Sequence, residues 1–281
     1  MTLHHLPPWN GEFASSSPLF EPLGPLLDGF RHFAEWPALS DFQDFLEQWP
    51  EPILTLAGKP LSIVEQAGKP QSFEQHYAPR IYMSGEIQTR TENWHDFFQY
   101  LTWFMFPKTK ARINSIHIPH ARERIAEGKA LGSRTPIENA LSLFDEGGAL
   151  LVSSDPVLLE LVRSFQWKEL FWQRRQQLKQ HFECITFGHA MYEKGLVPYI
   201  GMTANTLLLE VPGEFHDWSW PQKWSWLDQH LEQIFVEGER LKKPRDLQPF
   251  PILGMPGWDS ANEQAEYYDN QNYFRPGRHR R

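Results

Sequence analysis

Cysteine is almost missing from this chain: Cys184 is the only one in 281 residues. An internal disulfide framework and a cysteine-built zinc site are therefore both excluded. Long apolar runs are missing too. The best stretches, ALLV at 149–152 and VLLELV at 157–162, are parted by SSDP and fall far short of the roughly 20 residues a membrane helix needs. The opening MTLHHLPPWNGEF has neither Lys nor Arg and no apolar core, which predicts no secretory leader and a reduced, cytoplasmic setting. Positive charge is in deficit, with 27 Lys and Arg against 35 Asp and Glu and a net charge of −8. That balance speaks against general nucleic-acid binding, although a local basic groove can still hold a short single strand. No glycine-rich dinucleotide loop, Walker phosphate loop or nucleophile elbow occurs. Nucleotide-dependent and serine-hydrolase chemistry lose ground accordingly.

Apolar residues at 41% and charged residues at 22% describe an ordinary globular chain with enough length for a substantial core. Residues 1–24, rich in Pro, Ser and Gly, read as an extended lead-in. The spacing of Phe42, Leu46 and Trp49 predicts a short helix over 40–49, with Ser40 as its cap. IYMSGEIQT (81–89) suggests two short strands about a Ser84–Gly85 turn. ENWHDFFQYLTWFMF (92–106) is a helix with a broad aromatic face, ended by Pro107. A further helix covers 108–117, with Pro119 disturbing its continuation. NALSLFDEGGALLVSSD (139–155) reads as a hairpin about Asp145–Glu146–Gly147–Gly148. Asp155–Pro156 starts a helix, and another runs from about 167. Strands follow at 182–188 and 205–211, with a short helix from His189 between them and a long helix over 220–241. After Lys243, prolines exclude long regular elements, while the aromatics favour an ordered arm over the body. Helices and short strands mix without a βαβ rhythm, so the fold class is α+β. The lead-in (1–72), the core with its arm (73–276) and a basic tail (277–281) read as one structural domain.

Several polar residues are candidates for chemistry. His95 and Asp96 stand off the aromatic face of their helix, and His95, Gln99 and Thr102 form a polar stripe that is either solvated or lines a cleft. His189 and Glu193 are four apart on a short helix, a spacing that suits a general base with its carboxylate or half of a metal site. An unremarkable helix-start His satisfied by Glu193 fits the same spacing. Asp145 and Glu146 are adjacent acids that in a hairpin point to opposite faces. Turn chemistry alone also accounts for them. Arg90, Lys108, Lys110 and Arg112 form a basic cluster suited to a phosphate or carboxylate, or simply to solvent. His117 and His120 resemble a ligand pair, but Pro119 between them spoils it. Trp218, Trp220, Trp224 and Trp226 can stack a sugar or base, though core packing explains them as well. Cys184, inside an apolar strand, suits an inert thiol.

Five segments taken together resemble one bacterial family, the domain of unknown function 3025. They are TRTENWHDFF (89–98), FPKTKARIN (106–114), NALSLFDEGGALLVSSD (139–155), FGHAMYEKGLVPYIGMTA (187–204) and LGMPGWDSANEQAEYYDNQNYFRP (253–276). The resemblance spans roughly 73–276 and brings no activity, substrate or cofactor with it. It implies a single cytoplasmic domain of Gram-negative bacteria whose C-terminal arm belongs to the fold. The polar positions it carries over are Arg90, Asn93, His95, Asp96, Lys110, Asn114, Asp145, Glu146, His189, Glu193, Asn262, Asp269 and Arg275. Gln99 stands where the family usually has Asn, and Asn205 where it has His.

Two functional readings follow. In the first, His95, Asp96, His189 and Glu193, with Asp145 or Glu146, converge in one cleft as a hydrolase-like site. They act as an acid/base pair or hold a divalent metal, His95, His189 and Glu193 being its first candidate ligands. Arg90, Lys110, Asn114 and Arg275 then bind a small anionic substrate. In the second, the chain is a non-catalytic domain that binds a small molecule or a protein, its polar residues fixing the fold. No membrane contact is expected, and no feature sets the oligomeric state.

Overall fold

The computed structural model describes residues 6–70, 72–128 and 134–277. The terminal arginines 278, 280 and 281 of the basic tail lie outside them, as do residues 1–5. The helices are α1 (Gly24–Leu27), α2 (Leu39–Glu47), α3 (Tyr77–Ser84), α4 (Trp94–Met105), α5 (Pro107–Ala126), α6 (Pro136–Gly147), α7 (Pro156–Arg163), α8 (Arg175–His181), α9 (His189–Gly195) and α10 (Trp220–Glu237). The strands β1 (Ser62–Glu65) and β2 (Glu86–Thr89) pair in parallel as a small sheet. β3 (Gly148–Ser153), β4 (Phe182–Thr186), β5 (Thr203–Glu210) and β6 (Gln248–Pro251) form a second sheet in the order β4-β3-β5-β6. Only the central β3–β5 pair of that sheet is parallel. The fold is α+β. No helix of the described residues is long and apolar enough to cross a membrane.

Helix α4 sits at the centre. Asn93 caps it by accepting from the Asp96 amide at 3.1 Å, and every residue except His95 is buried. Of the stretch read as an extended lead-in, residues 6–24 are not extended, because their aromatics, joined by Phe30, complete this core. Trp9 stacks on Trp94 at 5.2 Å, Phe20 on Phe98 at 5.9 Å, and Phe30 meets Phe97 edge-on at 5.4 Å. So many rings on one helix need cover on all sides, and the chain wraps back to provide it.

Three local expectations are corrected. Residues 77–84 are helical rather than the first strand of a hairpin. Gly85 ends α3 with φ of 78°, and a Cβ there would strike the Pro60 carbonyl at 2.0 Å. Helix α5 runs on through Pro119 to Ala126. Its first turn is capped from outside by Asp228 of α10, which accepts from the Lys108 and Thr109 amides at 3.0 and 2.8 Å. Its last turns are held by an ion pair between Arg124 and Glu138, which outweighs one missing backbone donor. Residues 136–147 form α6 in place of a strand. Thr135 and Glu138 make a reciprocal capping box, with Pro136 in the first turn, a start signal lying just ahead of the stretch read as a hairpin. The expected starts of α7 and α10 and the strands near 182 and 205 stand as read.

The C-terminal arm adds β6 to the sheet edge and continues as short turns locked by Asn262, which is fully buried. Its Nδ2 donates to the Leu253 and Met255 carbonyls at 2.9 and 2.7 Å, and its Oδ1 accepts from Arg175 at 3.3 Å. Arg275 belongs to this clamp: its carbonyl accepts from the Trp167 indole at 2.8 Å. Replacing Asn262→Ala strands two buried carbonyls and should cost about 2–3 kcal/mol. Equilibrium unfolding in urea measures that loss, and limited proteolysis should cut the arm first.

Candidate active site

The packing of Gly188, which opens α9, on the end of α6 brings the site together. Gly188 packs so closely on the end of α6 that a Cβ would lie 2.4 Å from the Glu146 carbonyl and 2.5 Å from the Gly148 amide. Its own amide donates to the Gly148 carbonyl at 2.9 Å. His189, the next residue, is thereby fixed beside Asp145. Helix α9 then lies along α4, with Tyr192 stacked on Phe98 at 5.6 Å. His95, one turn before Phe98, is carried into the space between His189 and Glu193.

The result is a continuous chain of titratable groups. Glu193 Oε2 is 3.0 Å from His95 Nδ1, and His95 Nε2 is 3.1 Å from His189 Nε2. The His189 Nδ1 is 4.0 Å from Asp145 Oδ2, and the Lys110 ammonium donates to Asp145 Oδ1 at 2.5 Å. Glu193 thus serves His95 rather than the His189 on its own helix. His189 is 3% exposed, whereas the His95 side chain is 31% exposed. Burial above all pushes the His189 pKa down to about 3; the Lys110 and His95 charges add to this and Asp145 opposes it. Burial alone would raise the Asp145 carboxyl, but Lys110 and then His189 hold it below its ordinary range.

His95, His189, Asp145 and Lys110 of this chain line a cavity of about 610 Å³ between α4, α5, α6 and α3. Lys110, Asn114, His117 and Arg124 face it from α5, and Glu138, Ser142, Asp145 and Glu146 from α6. Each set recurs at helical spacing, so two antiparallel stripes form its walls. They meet at Lys110–Asp145 and again where Glu138 accepts from Arg124, with His117 Nδ1 3.5 Å from the Glu138 carboxylate. The two junctions lie seven residues apart on α6, about 10 Å along its axis. Burial opposes ionisation of Glu138, yet Arg124 and Thr135 bring its pKa down to about 2. Tyr77 is 43% exposed on the rim, while its hydroxyl reaches in to meet the Gln99 amide. Burial, then the Asp145 and Asp96 charges, raise the pKa of that hydroxyl and keep its proton on.

Some expected residues take other places. Asp96 lines the cavity, but its carboxylate accepts from the Arg90 amide, Nε and a terminal nitrogen at 2.7–2.9 Å, so it anchors a loop. Asn114 donates to the Ala78 carbonyl at 3.0 Å and ties α5 to α3. Arg275 does not reach the cavity. The basic cluster is dispersed: Lys110 is buried on Asp145, and Arg112 pairs with Glu232 at 3.1 Å. Glu146 lines the rim beside Asp145, on the same helical face rather than the opposite side of a hairpin. None of Trp218, Trp220, Trp224 and Trp226 lines the cavity. Burial pushes the Cys184 thiol up, which keeps it protonated. Glu193 faces His95 Nδ1, away from the meeting of the two Nε2 atoms, so these three do not surround one point. Among the described residues no group of three or more His, Cys, Asp or Glu is arranged to hold a metal.

Charge in the lining is balanced: Arg90, Lys110, Arg124 and Arg134 against Asp96, Glu138, Asp145 and Glu146. Three of the four cations are already paired with three of the acids. Tyr77, Arg124 and Glu138 were missed from sequence alone. The T-P-x-E capping signal at 135–138 and the helical recurrence of 110, 114, 117 and 124 are the patterns that would have found the last two.

The sequence model of the family described as a protein of unknown function, DUF3025, matches residues 61–278, and the chain belongs to that family. The matched span contains the whole imidazole–carboxylate chain and the arm. No curated protein and no solved structure matches the chain.

The buried imidazole has a thermodynamic signature. An unfolded His189 takes up a proton below pH 6.5, whereas the folded one resists until about pH 3, so stability falls as pH drops through that window. Between pH 6.5 and 5 this group alone accounts for about 2 kcal/mol. His117, lowered chiefly by burial, acts in the same direction. Urea unfolding at pH 7 and pH 5 should show the loss, and His189→Gln should make it shallower. An identical pH slope in the variant contradicts this assignment.

Proposed function

We propose that this protein is a hydrolase-like enzyme of the bacterial cytoplasm that activates water against a small polar substrate held in the cavity. The observation that carries the reading is the contact of two imidazoles from different helices, each with its outer nitrogen turned toward a carboxylate. His95 is the accessible member and the catalytic base. A water against its Nε2 loses a proton to the ring, and Glu193 behind Nδ1 offsets the imidazolium that forms. His189, buried and neutral, packs edge-on against the His95 ring and adds no competing charge. Asp145 and Lys110 in turn hold His189. Tyr77, which lines the same cavity with its proton retained, is the candidate donor to a leaving group. The paired cations of the lining favour a polar or dipolar substrate over a strongly anionic one.

Turnover of a panel of small amides, esters and phosphoesters tests the reading, with wild type beside His95→Gln. Loss of the base should lower kcat by about 100-fold or more, with the circular dichroism spectrum unchanged. A folded wild type that turns over none of the panel, or a variant as active as wild type, sinks the enzyme reading in favour of a non-catalytic binding domain.

A further inference from the structure

Once the ion pairs of the cavity lining are set aside, one cation and one acid are left over, Arg134 and Glu146. Neither enters an ion pair among the described residues, and both are exposed on the rim. One helix sets their places. Arg134 precedes the first turn of α6 and Glu146 stands in its last, so Arg134, Glu138, Ser142 and Glu146 recur every four residues along one wall. Roughly 16 Å of helix axis separates the unpaired cation from the unpaired acid. Glu146 belongs to the imidazole end, where Gly188 packs on its carbonyl. Arg134 belongs to the other end, where Glu138 accepts from Arg124. Between them the facing helix presents Asn114. Its Nδ2 donates to the Ala78 carbonyl, while its Oδ1 is buried with no hydrogen-bond partner. An acceptor left so is costly until a donor reaches it.

We propose that the cavity binds a short unblocked peptide, its terminal ammonium at Glu146 and its terminal carboxylate at Arg134. Unpaired charges of opposite sign at the two ends select a zwitterion. An ion contact of about 3 Å at each end leaves about 10 Å for the ligand, the span of roughly three or four residues of extended chain. A peptide also brings backbone N–H groups to the stretch that holds Asn114 Oδ1, which an aliphatic zwitterion of the same length does not. The inference rests on the hydrolytic reading and deepens it by naming the substrate class and its direction. With the amino end beside the imidazoles, the first peptide bond is the one nearest His95. Water gives its oxygen to that carbonyl carbon and the C–N bond breaks. The proton taken up by His95 leaves with the amine, so the products are one amino acid and a shortened peptide.

Calorimetric titration of the full chain with tetra-alanine tests this, in wild type and in His95→Gln, where bound peptide stays intact. One peptide per chain is expected. The N-acetylated and the C-amidated forms should each bind about fivefold more weakly, the scale of a partly solvated ion pair. Glu146→Gln should weaken the free peptide about fivefold yet leave the N-acetylated one unchanged, and Arg134→Gln should likewise spare only the C-amidated one. No binding of tetra-alanine by either protein, blocked peptides that bind as tightly as the free one, or substitutions that weaken all three peptides alike overturns the proposal. The two readings fail separately. Tetra-alanine bound as expected but never cleaved retains the peptide site and removes the hydrolase. Turnover of another substrate class that depends on His95, in a protein that binds no tetra-alanine, keeps the enzyme and removes the peptide.

Discussion

A helix buried on every side has no solvent to satisfy its polar groups, and α4 is such a helix. Its rings are covered by the aromatics of the first thirty residues on one flank and by α9 on another. Its polar side chains, the Trp103 indole apart, therefore find partners inside the protein. Asp96 takes the Arg90 guanidinium, Gln99 takes the Tyr77 hydroxyl, and Thr102 returns to the Gln99 carbonyl at 2.8 Å. His95, the single residue of α4 that is not buried, finds Glu193 and His189 at the edge of a cavity. The site is thus a consequence of how the aromatic core closes, and the stacking of Phe98 on Tyr192 sets where the two imidazoles meet.

The electrostatics of the cavity follow from the same burial. Ionised groups taken out of water are costly unless paired, and the walls carry matched pairs at both ends, Lys110 with Asp145 and Arg124 with Glu138. With those charges compensated, the contact of the two imidazoles at 3.1 Å is a remaining polar junction of the interior. Neutral imidazole is the form that accepts a proton, and burial keeps His189 in that form across the physiological range. Lys110 has a second part in this. By holding Asp145 ionised, it keeps a carboxylate behind a ring that would otherwise face an uncharged wall.

Helix α4, the α7 start at Asp155–Pro156, the strands β3, β4 and β5 and the apolar setting of Cys184 were legible because their signals are local: periodicity, a cap, a run of buried residues. The residues of the imidazole chain were legible as residue types, His95, His189, Glu193, Asp145 and Lys110 all standing among the candidates. Their pairing was not. The i,i+4 spacing of His189 and Glu193 suggested that they bond each other, and only the insertion of His95 from another helix gave Glu193 a different partner. Asp145 and Glu146 were placed on a turn because Gly147–Gly148 dominated the local pattern, while the capping box at Thr135 and Glu138 had already committed the segment to helix. Pro119 misled in the same way, since the cost of one lost backbone donor is local but the contacts that outweigh it lie on α6 and α10.

By itself the sequence determined the α+β class, the lack of an internal disulfide and of any apolar run long enough for a membrane helix, the aromatic helix and the kinds of side chain that face the cavity. These depend on composition and on spacings of a few residues, which act through the backbone period alone. Tertiary structure decided which carboxylate serves which imidazole, that the basic cluster disperses into separate ion pairs, and that Arg275 clamps an arm instead of binding a ligand. Those outcomes are set by contacts between residues from 35 to more than 100 positions apart, such as Lys110 with Asp145, His95 with His189 and Trp167 with Arg275. Burial makes them energetically decisive, and no local spacing encodes burial.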